Sequence, residues 1–181
     1  MRFVVEVSGS LSGPLPDRFP ERAHLALAPV VEELVREHCR EGVIPDDVFL
    51  SIEFIDEEGM RELNMRFLGE DSPTDVLAFP IYTSDGGFSF PGDIPACLLG
   101  DIVVCLPKVE ENALQAGHPF LRELSLVLVH GLLHLFGLDH DTEEQRTDMW
   151  RTQELYWDTI EHRLSFPAGP ERNDKKERID Q

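Results

Sequence analysis

Residues 130–140 read HGLLHLFGLDH. His130 and His134 stand four apart in a run otherwise made of leucine, valine and phenylalanine. In an α-helix that spacing puts two side chains on one face with Cβ atoms roughly 6 Å apart, close enough for two imidazoles to converge on one cation. Gly137 then lets the chain leave the helix, since glycine turns there without steric penalty, and His140 comes back as a third nitrogen. Burying several ionisable imidazoles among aliphatic side chains is costly unless something coordinates them. Three protein ligands and one open position make the arrangement of zinc sites that do chemistry. The stretch therefore predicts a metal-binding helix bearing HxxxH, with His130, His134 and His140 as ligands and one Zn2+ as the ion favoured by three nitrogens. His24, His38, His118 and His162 have no partner at ligand spacing and read as surface or packing residues. Asp139 and Asp141 either orient imidazoles or cap the following helix, and capping is the preferred reading for Asp141.

Gly131 limits the chemistry. With Glu at that position the same histidine spacing would be that of zinc proteases, in which the carboxylate takes a proton from the attacking water. A metal alone lowers the pKa of its water to about 7, but peptide hydrolysis also needs a proton delivered to a poor amine leaving group. Cleavage of an RNA phosphodiester can use the substrate's own 2′-OH against a less demanding leaving group. The missing Glu counts against a protease more than against a nuclease.

Outward from this stretch, Arg2 to Val7 reads as a first strand and GSLSGPLPDRFP (9–20) as a connector. Leu27, Val30, Val31, Leu34 and Val35 recur at helical spacing within Glu21 to Arg40, with Gly42 as a stop signal and Pro29 marking either a kink or the true start. Val48 to Ile55 alternates as a strand. DEEGMRELNMRFLG (56–69) reads as a short helix with acids at its start and Gly69 at its end. TDVLAFP (74–80) and GDIVVCLP (100–107) read as strands flanking a loop or loose hairpin at 83–93. Pro107 suits the first turn of a helix to about Ala116, and a second helix covers Phe120 to Phe136. Thr142 and Gln145 form a capping box for a last helix, which Met149, Trp150, Leu155, Tyr156, Trp157 and Ile160 are available to pack. The order β-α-β-α-β-β-α-α-α gives an α/β class with a small sheet. Residues 1–163 read as one domain and 164–181 as a disordered polar tail.

The chain has 181 residues, 41% hydrophobic and 28% charged, with a net charge of −19. That charge opposes non-specific binding to anionic membranes or nucleic acid, so an RNA substrate would need a locally basic path. The tail holds equal numbers of acidic and basic residues, so the acidic excess sits on the body. The N-terminal residues lack the long apolar core of a signal peptide, and Leu124 to Leu138 is too short to span a bilayer. Cys39, Cys97 and Cys105, without C-x-x-C spacing, suit a reducing compartment, and a cytoplasmic location is expected.

HGLLHLFGLDH, with LNMRFLGEDSPTDVLAFP (63–80) and LGDIVVC (99–105), resembles the YbeY family of endoribonucleases and rRNA maturation factors. The resemblance implies a single compact domain with a small mixed sheet packed with helices, one zinc on His130, His134 and His140, and single-strand-specific RNA cleavage. It also implies a role in 16S rRNA 3′ end maturation and ribosome quality control, with the small ribosomal subunit and its proteins as partners and no DNA. The family usually has Arg where this chain has Leu68, and a leucine cannot pair with phosphate. Arg66 is the candidate catalytic replacement, on the argument that i and i+2 share a side if the segment is extended. Thr74 and Asp101 read as turn and strand-end residues. Two other functions stay open: a non-catalytic ribosome-associated assembly factor with a structural metal, and a metallohydrolase of another substrate.

Overall fold

The structure, a computed structural model, describes residues 2–11, 13–39, 43–84, 87–92, 94–140 and 142–165. Gly42, Asp141 and the tail beyond residue 165 lie outside the described residues, so the readings placed on them are not taken further. Four strands form a mixed sheet in the order β1-β2-β6-β3. β1 (Arg2–Gly9), β2 (Asp47–Ile55) and β6 (Ala96–Cys105) run parallel, and β3 (Val76–Pro80) closes one edge antiparallel to β6. A short hairpin of β4 (Thr83–Ser84) and β5 (Gly87–Phe88) stands apart.

Alternation explains the layering. Val48, Leu50, Ile52 and Phe54 of β2 are all buried, while the residues between them are not, so the strand buries one face. On β6, Ile102 and Val104 join the main core, whereas Val103 and Cys105 pack with Leu77 and Met60 on the other side. Both faces of that strand are covered over residues 102–105, and its sequence there, IVVC, is accordingly apolar throughout. α2 (Glu57–Leu68) supplies Met60 to the smaller layer, while α1 (Phe19–His38), α4 (Phe120–Leu135) and α5 (Glu143–Ser165) build the larger one. Leu124, Leu128, Leu132, Leu133 and Leu135 of α4 are fully buried, so the helix that carries His130 and His134 is also the central element of the core. α3 (Leu106–Ala116) joins β6 to it.

Several sequence expectations are corrected here. α1 begins at Phe19 and continues through Pro29. The proline lies on the exposed side of the helix, and Leu25, whose carbonyl it leaves without a helical donor, is exposed as well. β6 starts at Ala96, before the expected glycine, because Cys97 and Leu99 already alternate into the core against β2. Asp101 consequently lies inside the strand, opposite Phe79 and Ser51, rather than at its end. On α5, Met149, Tyr156, Ile160 and Leu164 are buried, but Trp150 and Leu155 are exposed, since each stands one residue, about 100°, off the buried stripe. α5 runs on through the buried Leu164 to Ser165.

The predicted capping box is present. Thr142 Oγ1 accepts from the Gln145 amide at 3.2 Å, and the Thr142 amide donates to Gln145 Oε1 at 2.9 Å. At the other end of α5, Arg22 Nη1 donates to the Leu164 carbonyl at 2.9 Å, satisfying an otherwise orphaned acceptor. All three cysteines are free thiols. No helix among the described residues is long and apolar enough to cross a membrane.

Candidate metal centre

α4 presents His130 and His134 one turn apart, and a tight reversal at its end brings in His140. Gly137 has φ of 80°, and its amide donates to the His134 carbonyl at 2.9 Å while the Leu138 amide donates to the Leu133 carbonyl at 3.1 Å. This crossed pair is a Schellman ending, which needs the left-handed glycine. Beyond it, the Asp139 carboxylate accepts from the His140 amide at 2.7 Å and fixes the backbone of the returning loop. Asp139 thus acts on the backbone of a ligand-bearing loop, and the cap of α5 belongs to Thr142.

The three imidazoles converge. Nε2 of His130 and Nε2 of His134 are 3.2 Å apart, and the ligand atoms of all three histidines lie within 4.8 Å of one another. A tetrahedral ion with Zn–N bonds of about 2.05 Å holds its nitrogens about 3.3 Å apart, so the helical pair already has the required separation. Gln153 borders the same cavity as His130, and hydrogen bonding from its side chain to His130 and from the Leu138 backbone to His134 works to raise the two imidazole pKa values. A ring held by such a bond through one nitrogen keeps the other for a metal. Metal-ligating histidines are typically oriented in this way. Burial outweighs these bonds and holds both pKa values below the ordinary histidine value. The pair is therefore neutral, as ligands must be, and the donor set fits a divalent cation.

Gly131 is fixed by packing. A Cβ there would meet Ile102 Cγ2 at 3.0 Å and Val76 Cγ2 at 3.2 Å, so α4 lies so close to β6 and β3 that even a methyl requires these neighbours to give way by a few tenths of an ångström. The carboxylate of a protease has no room at this position.

The histidines open onto a cleft of about 560 Å³, whose far wall is β3 with Phe67 and Leu68 at the end of α2. Asn64, buried on α2, donates to the Ser72 carbonyl at 2.7 Å and holds the 69–74 turn against that helix. Thr74 and Asp75 also line the cleft, and Asp75 accepts from Asn112 Nδ2 at 3.0 Å. A smaller cavity of about 250 Å³ lies beside His130 and is bordered by Asp75, Glu123 and Gln153.

Position 66 differs from its sequence-based expectation. Residues 66 to 68 are the last turn of α2, where i and i+2 point about 200° apart, so Arg66 does not share the side of Leu68. Leu68 lines the cleft; Arg66 is exposed outside it, with its guanidinium 5.3 Å from the centre of the Phe67 ring. Sequence reasoning also missed Gln153 and the Leu138 backbone. Nothing in the sequence marks either one, because they act only once α5 and the loop are docked.

The family model described as Endoribonuclease YbeY matches residues 20–161. This chain belongs to the YbeY endoribonuclease family. Endoribonuclease YbeY of Geobacillus thermodenitrificans is 41% identical over 126 residues, covering 68% of this chain and 80% of the relative. That of Staphylococcus aureus is 38% identical over 140 residues, covering 77% and 87%. A Thermotoga maritima protein with a known solution structure has the same fold, with a TM-score of 0.55 and 28% identity over 93% of this chain and 99% of that one.

Proposed function

We propose that this YbeY-family chain is a metal-dependent, single-strand-specific endoribonuclease acting in maturation of the 16S rRNA 3′ end and in ribosome quality control. The observation that carries the reading is the neutral, pre-spaced His130–His134 pair, joined by His140 and open to a cleft. These three residues hold one Zn2+, which when bound supplies Lewis acidity toward the scissile phosphate and toward water. Gln153 and the Leu138 backbone would help to orient the two helical imidazoles. With Gly131 excluding a carboxylate, the chain offers no general base at that position, which suits a phosphodiester better than a peptide bond.

Arg66, beside the wall residues Phe67 and Leu68, is the guanidinium assigned to the RNA backbone. The acidic body favours partners with basic surfaces, as ribosomal proteins of the small subunit have. Three free thiols accord with a cytoplasmic setting. The test is cleavage of single-stranded rRNA fragments by wild type and His134→Ala, each stripped with chelator and then given Zn2+. Wild type should lose and regain cleavage while the variant stays silent. Equal cleavage by both proteins would remove the proposal.

A further inference from the structure

The cleft is unusual for a nucleic-acid site in one respect: among the described residues, no lysine or arginine lines it. In a chain of net charge −19, long-range electrostatics oppose RNA, so affinity has to come from another interaction. The cleft wall shows which. Phe67 is 52% exposed at the end of a polar helix, and Met65 and Leu68 beside it are exposed as well. The Phe67 ring is held edge-on against Phe79 of β3, with centroids 4.9 Å apart at 66°. An exposed aromatic ring, braced by a second ring and placed in the same cleft as the metal ligands, has the form of a stacking surface. Beside it, β3 is the edge strand of the sheet, and its outer edge carries N–H and C=O groups not used by β6.

We infer that Phe67, braced by Phe79 at the wall of the metal cleft, is the platform on which an unpaired nucleobase of the RNA stacks, while the outer edge of β3 faces the polar rim of that base. The inference rests on the endoribonuclease reading and deepens it. It explains how an acidic protein with a leucine at position 68 retains its substrate, and why the substrate is single-stranded: a base inside a duplex has both faces covered and cannot reach Phe67. Arg66, over the same ring, gives way to the base and is then free to meet the adjoining phosphate.

The experiment measures binding of a fluorescein-labelled, 2′-O-methyl hexanucleotide to the zinc-loaded full chain by anisotropy. Stacking on one ring is worth about 1–3 kcal/mol, so Phe67→Ala should weaken binding roughly 5- to 150-fold. Phe67→Trp should restore it, and an abasic site at one position of the oligonucleotide should erase the difference between wild type and Phe67→Ala. With about one phosphate contacted, log Kd should change with log salt by a slope of only about 0.7, and Leu68→Arg should steepen it. Equal affinity of wild type and Phe67→Ala, a steep salt slope in wild type, or no binding of the oligonucleotide would each overturn the inference. Cleavage of natural RNA by the same proteins tests the proposed function separately. Continued cleavage with no Phe67 effect on binding sinks only the stacking platform.

Discussion

Replacing Gly131 with alanine should loosen the contact between the metal helix and the sheet. In an exposed helix interior the change would stabilise the protein by about 1 kcal/mol through backbone propensity. Here the new methyl would lie 3.0 Å from Ile102 Cγ2 and 3.2 Å from Val76 Cγ2. Carbon atoms rest about 3.5–4.0 Å apart, so both contacts are too short. Ile102 is only 1% exposed and packs in the main core, so it shifts only against its neighbours. Overpacking of this kind costs about 1–3 kcal/mol, and with two strands encroached upon the upper part of that range applies. The net expectation is a loss of about 1 kcal/mol, read as a lower urea midpoint at unchanged slope. Gly131→Glu, which adds an unpaired buried carboxylate, should be far worse. The reasoning would be refuted if Gly131→Ala melted higher than wild type, because the helix would then have room for a side chain and the exclusion of a carboxylate would need another cause.

Three further outcomes are expected. Since burial lowers the pKa of His130 and His134, the unfolded chain takes up protons near about pH 6.5 that the metal-free folded chain does not. Stability of the metal-free protein should therefore fall as pH drops through that value, and His130→Ala should flatten the fall. Comparing the two proteins isolates the histidine contribution from Glu123, whose carboxyl burial pushes upward. Thr142→Ala removes half of the capping box and should cost about 0.5–2 kcal/mol in denaturant unfolding; no change would mean that α5 is held by packing alone. Gln153→Leu should weaken Zn2+ binding by about 10- to 100-fold in a competition titration while Gln153→Glu retains it, and equal affinity in all three proteins would remove Gln153 as the residue that orients His130.

The parts of the site legible in the sequence are those governed by helical period and local turn chemistry. His130 and His134 at spacing four, Gly137 as the exit and Thr142 with Gln145 as the cap all concern residues within one or two turns of each other, where the backbone leaves few alternatives. The early start of β6, the parallel order of the sheet and the contact of Gln153 with His130 depend on which elements lie side by side, and no local pattern encodes that. Arg66 shows the difference most clearly. Its nearness to Leu68 in sequence suggests a shared side, but α2 runs on to Leu68, so the two side chains leave the helix in different directions and only Leu68 lines the cleft. Gly131, legible at first only as a missing base, proves to be the residue that lets the helix approach the sheet.

The most direct test of the central claim is a titration of metal-stripped full chain with Zn2+ in which cleavage of a single-stranded rRNA fragment is followed at each step. The three-histidine centre predicts that cleavage rises in proportion to added metal and levels off at one equivalent, and that His130→Ala, His134→Ala and His140→Ala do not respond at that ratio. Cleavage that persists in the stripped protein, or that rises alike in wild type and the three variants, would contradict it.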